Sequence, residues 1–128
     1  MHRIPLLITL ALLLCTSPAL ASDQPGTVPV PGMVTMVDLG SHSCISCRMM
    51  TPILDKLRTA YAGRAAIVFI DVWEHKEQAK RFKISAIPTQ VFYDAKGQEV
   101  YRHQGFMNEE TIIKQLTIMA VPAPTEVK

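Results

Sequence analysis

Two short apolar runs, Val34 to Leu39 and Ala66 to Asp71 ("AIVFID"), are rich in β-branched residues. Runs of that length and continuity read as strands buried within a sheet. Between them Met50, Ile53, Leu54, Leu57 and Tyr61 recur at i, i+3, i+4, i+7 and i+11, which makes one apolar face of a helix. Further on, Glu74 to Phe82 reads as a weaker helix charged on its outer side. Thr89 to Tyr93 and Glu99 to Gln104 read as strands joined through "DAKGQ", where Gly97 can take a positive φ. Asn108 can cap a last helix whose start is favoured by Glu109 and Glu110, and whose buried stripe is Ile112, Ile113, Leu116 and Met119. The order β-α-β-α-β-β-α implies an α/β sandwich, a central sheet covered by helices. With 128 residues there is room for one such domain.

The ends of the chain are of different character. Arg3, the apolar run Ile4 to Cys15, Pro18 and the small-x-small site Ala19-Leu20-Ala21 have the layout of a cleavable export signal over residues 1–21. The run is too short for a bilayer, which needs about 20 residues. A rival is a lipoprotein acylated at Cys15, but Leu14 is larger than the residue such sites place before the cysteine. Residues 22–32 hold Pro25, Gly26, Pro29, Pro31 and Gly32 and read as an extended arm. The folded domain is expected over 33–120, with 121–128 a frayed tail containing Pro122 and Pro124.

Cleavage would leave two of the three cysteines, Cys44 and Cys47, in a C-x-x-C spacing outside the reducing cytosol. It would also leave 12 basic against 11 acidic residues, a net charge of +1 that argues against nucleic acid as a partner. Cys44 follows the first strand and just precedes the first helix, so its sulfur lies near unpaired N–H groups and the positive end of a helix dipole. That setting lowers a thiol pKa below its free value of ~8.5 and marks Cys44 as the nucleophile. Cys47, one turn later, is placed to attack a mixed disulfide on Cys44.

Other uses of the pair stay open. Zinc wants four ligands, and the cleaved chain offers two cysteines with the scattered His42, His75 and His103. Covalent haem requires His after the second cysteine, where Arg48 stands. Copper bound through Met49, Met50 and the thiolates competes with the commoner role of methionine as core filler. A purely structural disulfide closing so short a loop gains little from loop entropy.

Four features at matching separations resemble the thioredoxin family over Met33 to Met119. Asp38 stands six positions before Cys44, Pro52 five after Cys47, Ile87-Pro88-Thr89 resembles the family's cis-proline loop, and Gly105 resembles the glycine of its substrate groove. The resemblance implies a thioredoxin fold with a central mixed sheet and thiol:disulfide oxidoreductase activity, with no cofactor beyond the Cys44–Cys47 redox disulfide. It implies that Asp38 is a buried carboxyl that takes the proton of Cys47. Ile87, Pro88, Gly105 and Phe106 would form the client groove, with the backbone of Ile87 offered for strand-like pairing.

Departures from the pattern lie next to the thiols. Ser43 stands where the family has Trp, and Ile45-Ser46 replaces Gly-Pro, so these two residues are candidate modulators of the redox potential. His42, two residues from Cys44, is a further candidate modulator, as a cation beside the thiolate. Ile67 falls where the family has a lysine beside the aspartate, which leaves Asp38 without a cation. Trp73 is expected to pack in the core.

The expected protein is an exported, monomeric reductant of client disulfides in a bacterial periplasm, fed by a membrane thiol reductase. The bulky Ile87 before Pro88 resembles reductants of the family more than its oxidants. An oxidant or isomerase is one alternative, and a non-catalytic metal-handling (copper or zinc) or client-binding module is another.

Overall fold

The structure is a computed structural model that describes residues 27–125. The expected export signal, its rival lipidation at Cys15 and the first residues of the arm lie outside the described residues. Seven elements follow in the expected order: β1 (Val34–Gly40), α1 (Ile45–Ala60), β2 (Ala65–Asp71), α2 (Lys76–Arg81), β3 (Thr89–Tyr93), β4 (Glu99–Gln104) and α3 (Glu109–Ile118).

The sheet has the order β2-β1-β3-β4. β1 pairs parallel with β2 and antiparallel with β3, and β4 pairs antiparallel with β3, so the sheet is mixed. β1 and β3 are its inner strands, and every residue of β3 is buried. This fits the apolar run of β1; β2, read as a buried strand as well, lies at the edge of the sheet and is only partly buried.

Alternation along each strand divides the core in two. Met36, Ile67 and Phe92 meet Met50, Leu54 and Leu57 of α1, Tyr61 just past its end, and Ile112 and Leu116 of α3 on one face. Val37, Leu39, Ile70, Val91 and Tyr93 meet Val72 and Phe82 on the other, beside α2. Truncating a fully buried member such as Leu57 or Ile112 to Ala would cost roughly 2–5 kcal/mol. Asp38 and Gln90 stand on the α1 side, since they alternate with Val37, Leu39 and Val91. That places Asp38 behind the thiols.

Local signals act as expected. The Asn108 side chain accepts from Thr111 N at 2.9 Å, capping α3. Gly97 turns between β3 and β4 at φ +80°. Pro52 stands inside α1, where it removes one helical hydrogen bond.

The packed unit is wider at both ends than 33–120. Val28 is buried in the second core, Arg81 donates to its carbonyl, and Gly32 N donates to Ala95 O at 3.0 Å. Val121 is buried in the first core, and Pro122 O accepts from Arg64 at 2.8 Å. Proline-rich spacing excludes helix from these segments, but it does not stop a single valine from covering an edge of the core.

Candidate active site

Cys44 is the N-cap of α1, in an extended conformation (φ −94°, ψ 127°) that ends the loop after β1. Its Sγ accepts from Cys47 N at 3.4 Å and lies 3.3 Å from Ser46 Oγ. Partial burial works against its thiolate, but hydrogen bonds from the side chains and main chains of Cys47 and Ser46 outweigh it. The Cys44 thiol therefore lies below its ordinary value. Cys47, one turn along, is 2% exposed. Burial, the hydrogen bond to Cys44 and the charges of Cys44 and Asp38 push its thiol up to about 12. One short motif thus holds two chemically unequal thiols.

Asp38 is fully buried on β1. Burial raises its carboxyl to about 6, against the opposing hydrogen bond from Gln90. Gln90 Nε2 donates to Asp38 Oδ1 at 2.7 Å, while Asp38 Oδ2 and Gln90 Oε1 have no partner. The expected lack of a cation from β2 fits the register: Phe69 lies opposite Asp38, and Ile67 lies opposite Met36.

Two residues around the thiols escaped the sequence reading. Asp71, at the end of β2, accepts from His42 N at 2.8 Å, Trp73 N at 2.9 Å and Glu74 N at 3.2 Å. Burial alone would raise its carboxyl, yet these bonds and one from the Ser41 hydroxyl hold it below the ordinary carboxylate range. Asp71 thereby ties the loop that carries Cys44 to the loop that starts α2. Its bonds to residues two and three ahead have a local signature, an aspartate turn at a strand end. The bond to His42 spans 29 positions and has none. Gly40 is the second: a Cβ there would lie 3.1 Å from both Cβ and Sγ of Cys47. The missing side chain makes room for the thiol.

His42 and Ser43 are exposed beside Cys44, and the His42 ring packs on Phe69 with centroids 4.9 Å apart. The Ile87-Pro88 bond is cis, and Gly105, at φ +97°, donates its N–H to Pro88 O at 2.8 Å. The left-handed backbone alone explains a glycine at 105, since a Cβ there would meet no other atom within 4 Å. Ile45, Phe106 and Trp73 are exposed apolar side chains. Trp73 departs from its expected core position because it leaves the sheet just past β2, and at 56% exposure it faces solvent. With Val72, Ala79, Ile84, Ala86 and Ile87 it lines a cleft of about 220 Å³.

The methionines divide between surface and core. Met49 is exposed, whereas Met50 is fully buried and its Sδ accepts from Met107 N at 3.4 Å. Among the described residues no group of three or more His, Cys, Asp or Glu is placed to hold a metal ion, and no helix is long and apolar enough to cross a membrane.

The family model described as Thioredoxin matches residues 29–118. The chain belongs to the thioredoxin family. It is 32% identical over 83 residues to the thioredoxin of several Staphylococcus aureus strains, a stretch covering 65% of this chain and 79% of that protein. Two solved structures share its fold. A malarial protein superposes with a TM-score of 0.63 at 21% identity, over 70% of this chain and 99% of that one. Chloroplastic thioredoxin z superposes with a TM-score of 0.62 at 24% identity, over 70% and 80% of the two chains. This thioredoxin-family protein is a thiol:disulfide oxidoreductase, and thioredoxins act on protein disulfides.

Proposed function

We propose that this member of the family is an exported reductant of client disulfides that works through Cys44 and Cys47, with no cofactor beyond that pair. The observation that carries this reading is the inequality of the two thiols, Cys44 lowered at the N-cap of α1 and Cys47 raised behind it. The Cys44 thiolate attacks one sulfur of a client disulfide, forming the mixed disulfide and releasing the other sulfur as a thiolate. Cys47 then attacks Cys44, its proton passes to Asp38, and the second client sulfur leaves with the electron pair. The products are a dithiol client and a Cys44–Cys47 disulfide.

Ile87, Pro88, Gly105 and Phe106 form the docking groove in this reading, with the Ile87 backbone pairing an extended client segment. Ile45 and Ser46 tune the potential from within the motif, and His42 from the loop before it. Export is supported by the basic, apolar and small-residue layout of residues 1–21. A reductant outside the cytosol needs electrons carried across the membrane, so its donor is a membrane thiol reductase and its compartment is the bacterial periplasm.

The test is the equilibrium potential of the Cys44–Cys47 couple in dithiothreitol buffers. A value near −270 mV, the reducing end of the family span, supports the reductant. A value near −120 mV overturns the direction and favours an oxidant. Failure of the pair to cycle would leave the thiols to a metal-handling or binding role.

A further inference from the structure

We propose that Gln90 is a positioning residue for the proton step: its amide holds Oδ1 of Asp38 and leaves Oδ2 as the oxygen that takes the Cys47 proton. The inference rests on the reading of Asp38 as proton acceptor given above.

The geometry is specific to the pair. Asp38 and Gln90 are directly opposed in the β1–β3 register, both are fully buried, and Nε2 lies 2.7 Å from Oδ1. A buried amide costs free energy unless it is hydrogen-bonded, and an apolar side chain would satisfy this inner strand better. Gln90 precedes the apolar "VFY" run of β3 and stands at the one register position that reaches Asp38. Having taken Oδ1, it leaves the carboxyl a single unpartnered oxygen, Oδ2.

The choice of a neutral partner also matters. A cation would stabilise the carboxylate by a full charge, whereas an amide contributes one hydrogen bond. Asp38 therefore stays at about 6, close enough to neutrality to take a proton and return it at pH 7.

The surroundings add one titrating neighbour, the thiol of Cys47 from α1, whose own pKa Asp38 helps to raise. β2 presents Phe69 opposite Asp38, and α3 presents Ile112 and Leu116 to the same core. On β4, His103 lies opposite Gln90, with its Nε2 3.2 Å from Phe106 O. In the step itself the Cys47–Cys44 bond forms as the bond from Cys44 to the client sulfur breaks. The electron pair leaves on that sulfur, and the Cys47 proton moves to Oδ2 and then to the released thiolate or water.

The experiment loads Cys44 with thionitrobenzoate from Ellman's reagent and follows its release by Cys47 against pH, in the full chain and its variants. Gln90→Met keeps the volume and removes the donor. It is expected to move the midpoint of the release profile up by about one pH unit, roughly tenfold in the proton equilibrium. The alkylation profile of Cys44 should stay where it was, a separation that loosened packing would not produce. His103→Gln is expected to leave the midpoint in place. Gln90→Glu, which places a second carboxyl beside Asp38, should move it upward as well and serves if the methionine variant does not fold.

A midpoint unchanged in a folded Gln90 variant, with Asp38→Asn abolishing the carboxyl-dependent limb, overturns this inference and leaves the role of Asp38 intact. A midpoint that moves as far in His103→Gln overturns it too. An Asp38→Asn profile identical to that of the native chain removes the proton role of Asp38 itself.

Discussion

Gly40 runs directly beneath Cys47: a methyl group on its Cα would stand 3.1 Å from both Cβ and Sγ of the thiol side chain, and 3.2 Å from the Phe69 ring. The end of β1 is thus the floor on which the buried thiol rests. Gly40→Ala forces that contact apart, and overpacking of this kind costs about 1–3 kcal/mol. The variant is expected to unfold at lower urea and to release thionitrobenzoate from Cys44 more slowly. Alkylation of Cys44, which is not among the nearest atoms such a methyl would meet, should proceed at the native rate.

The two thiols should be separable by chemistry alone. Cys44 lies below the ordinary thiol value and Cys47 is pushed up to about 12, so at neutral pH the thiolate population falls overwhelmingly on Cys44. Brief iodoacetamide treatment of the reduced protein at pH 7, read by peptide mass spectrometry, is expected to label Cys44 and spare Cys47. Cys44→Ser should abolish turnover, whereas Cys47→Ser should accumulate a stoichiometric mixed disulfide with the client. Equal labelling of both cysteines would contradict the assignment of nucleophile and resolving thiol.

Trp73 offers a split between stability and recognition. It is exposed, and it shares its cleft with Ile87, the residue proposed to pair with the client backbone. Trp73 belongs to neither core cluster, so Trp73→Ala is expected to lower the unfolding free energy by no more than about 2 kcal/mol, less than a core truncation. Its effect should fall on KM for a protein disulfide and not on the reaction with Ellman's reagent, which needs no groove. A loss of rate with both substrates would place Trp73 in the chemistry instead.

The periods along the chain were enough for the fold: the elements lie within two residues of their expected bounds, because most are apolar runs or stripes with a turn or cap at their ends, while α2, with no buried residue and no side-chain cap, and the exposed β4 are placed by the elements around them. The thiols were legible from their spacing after β1 and at the start of α1, and Asp38 from the resemblance to the thioredoxin family. What was not legible depends on long-range placement. Val28 and Val121 look like linker residues until the far side of the fold supplies a surface for them. Trp73 is apolar, but its direction is set by where β2 ends. Gly40, Asp71 and Gln90 act through Cys47, His42 and Asp38, and only strand register and helix placement bring those partners together.

Asp38 and Asp71 should bend the stability of the reduced protein in opposite directions. Asp38 is raised to about 6 in the folded state against ~3.9 unfolded, so between those values the folded protein holds the extra proton. Its contribution is present below pH ~4 and is lost as pH rises through about 6, a loss that levels off near 3 kcal/mol. Asp71 is depressed, so its contribution is present above the unfolded value of ~3.9 and is lost as pH falls through the folded one. Urea unfolding across a pH series should therefore show greatest stability around pH 4 to 5, with Asp71 shaping the acid limb and Asp38 the neutral one. Asp38→Asn is expected to flatten the decline toward pH 7 and raise stability there by about 2–3 kcal/mol, while Asp71→Asn flattens the acid limb. A neutral limb of unchanged slope in Asp38→Asn would mean that the buried carboxyl is ionised in the folded protein without penalty, and the proton step would then need another acceptor.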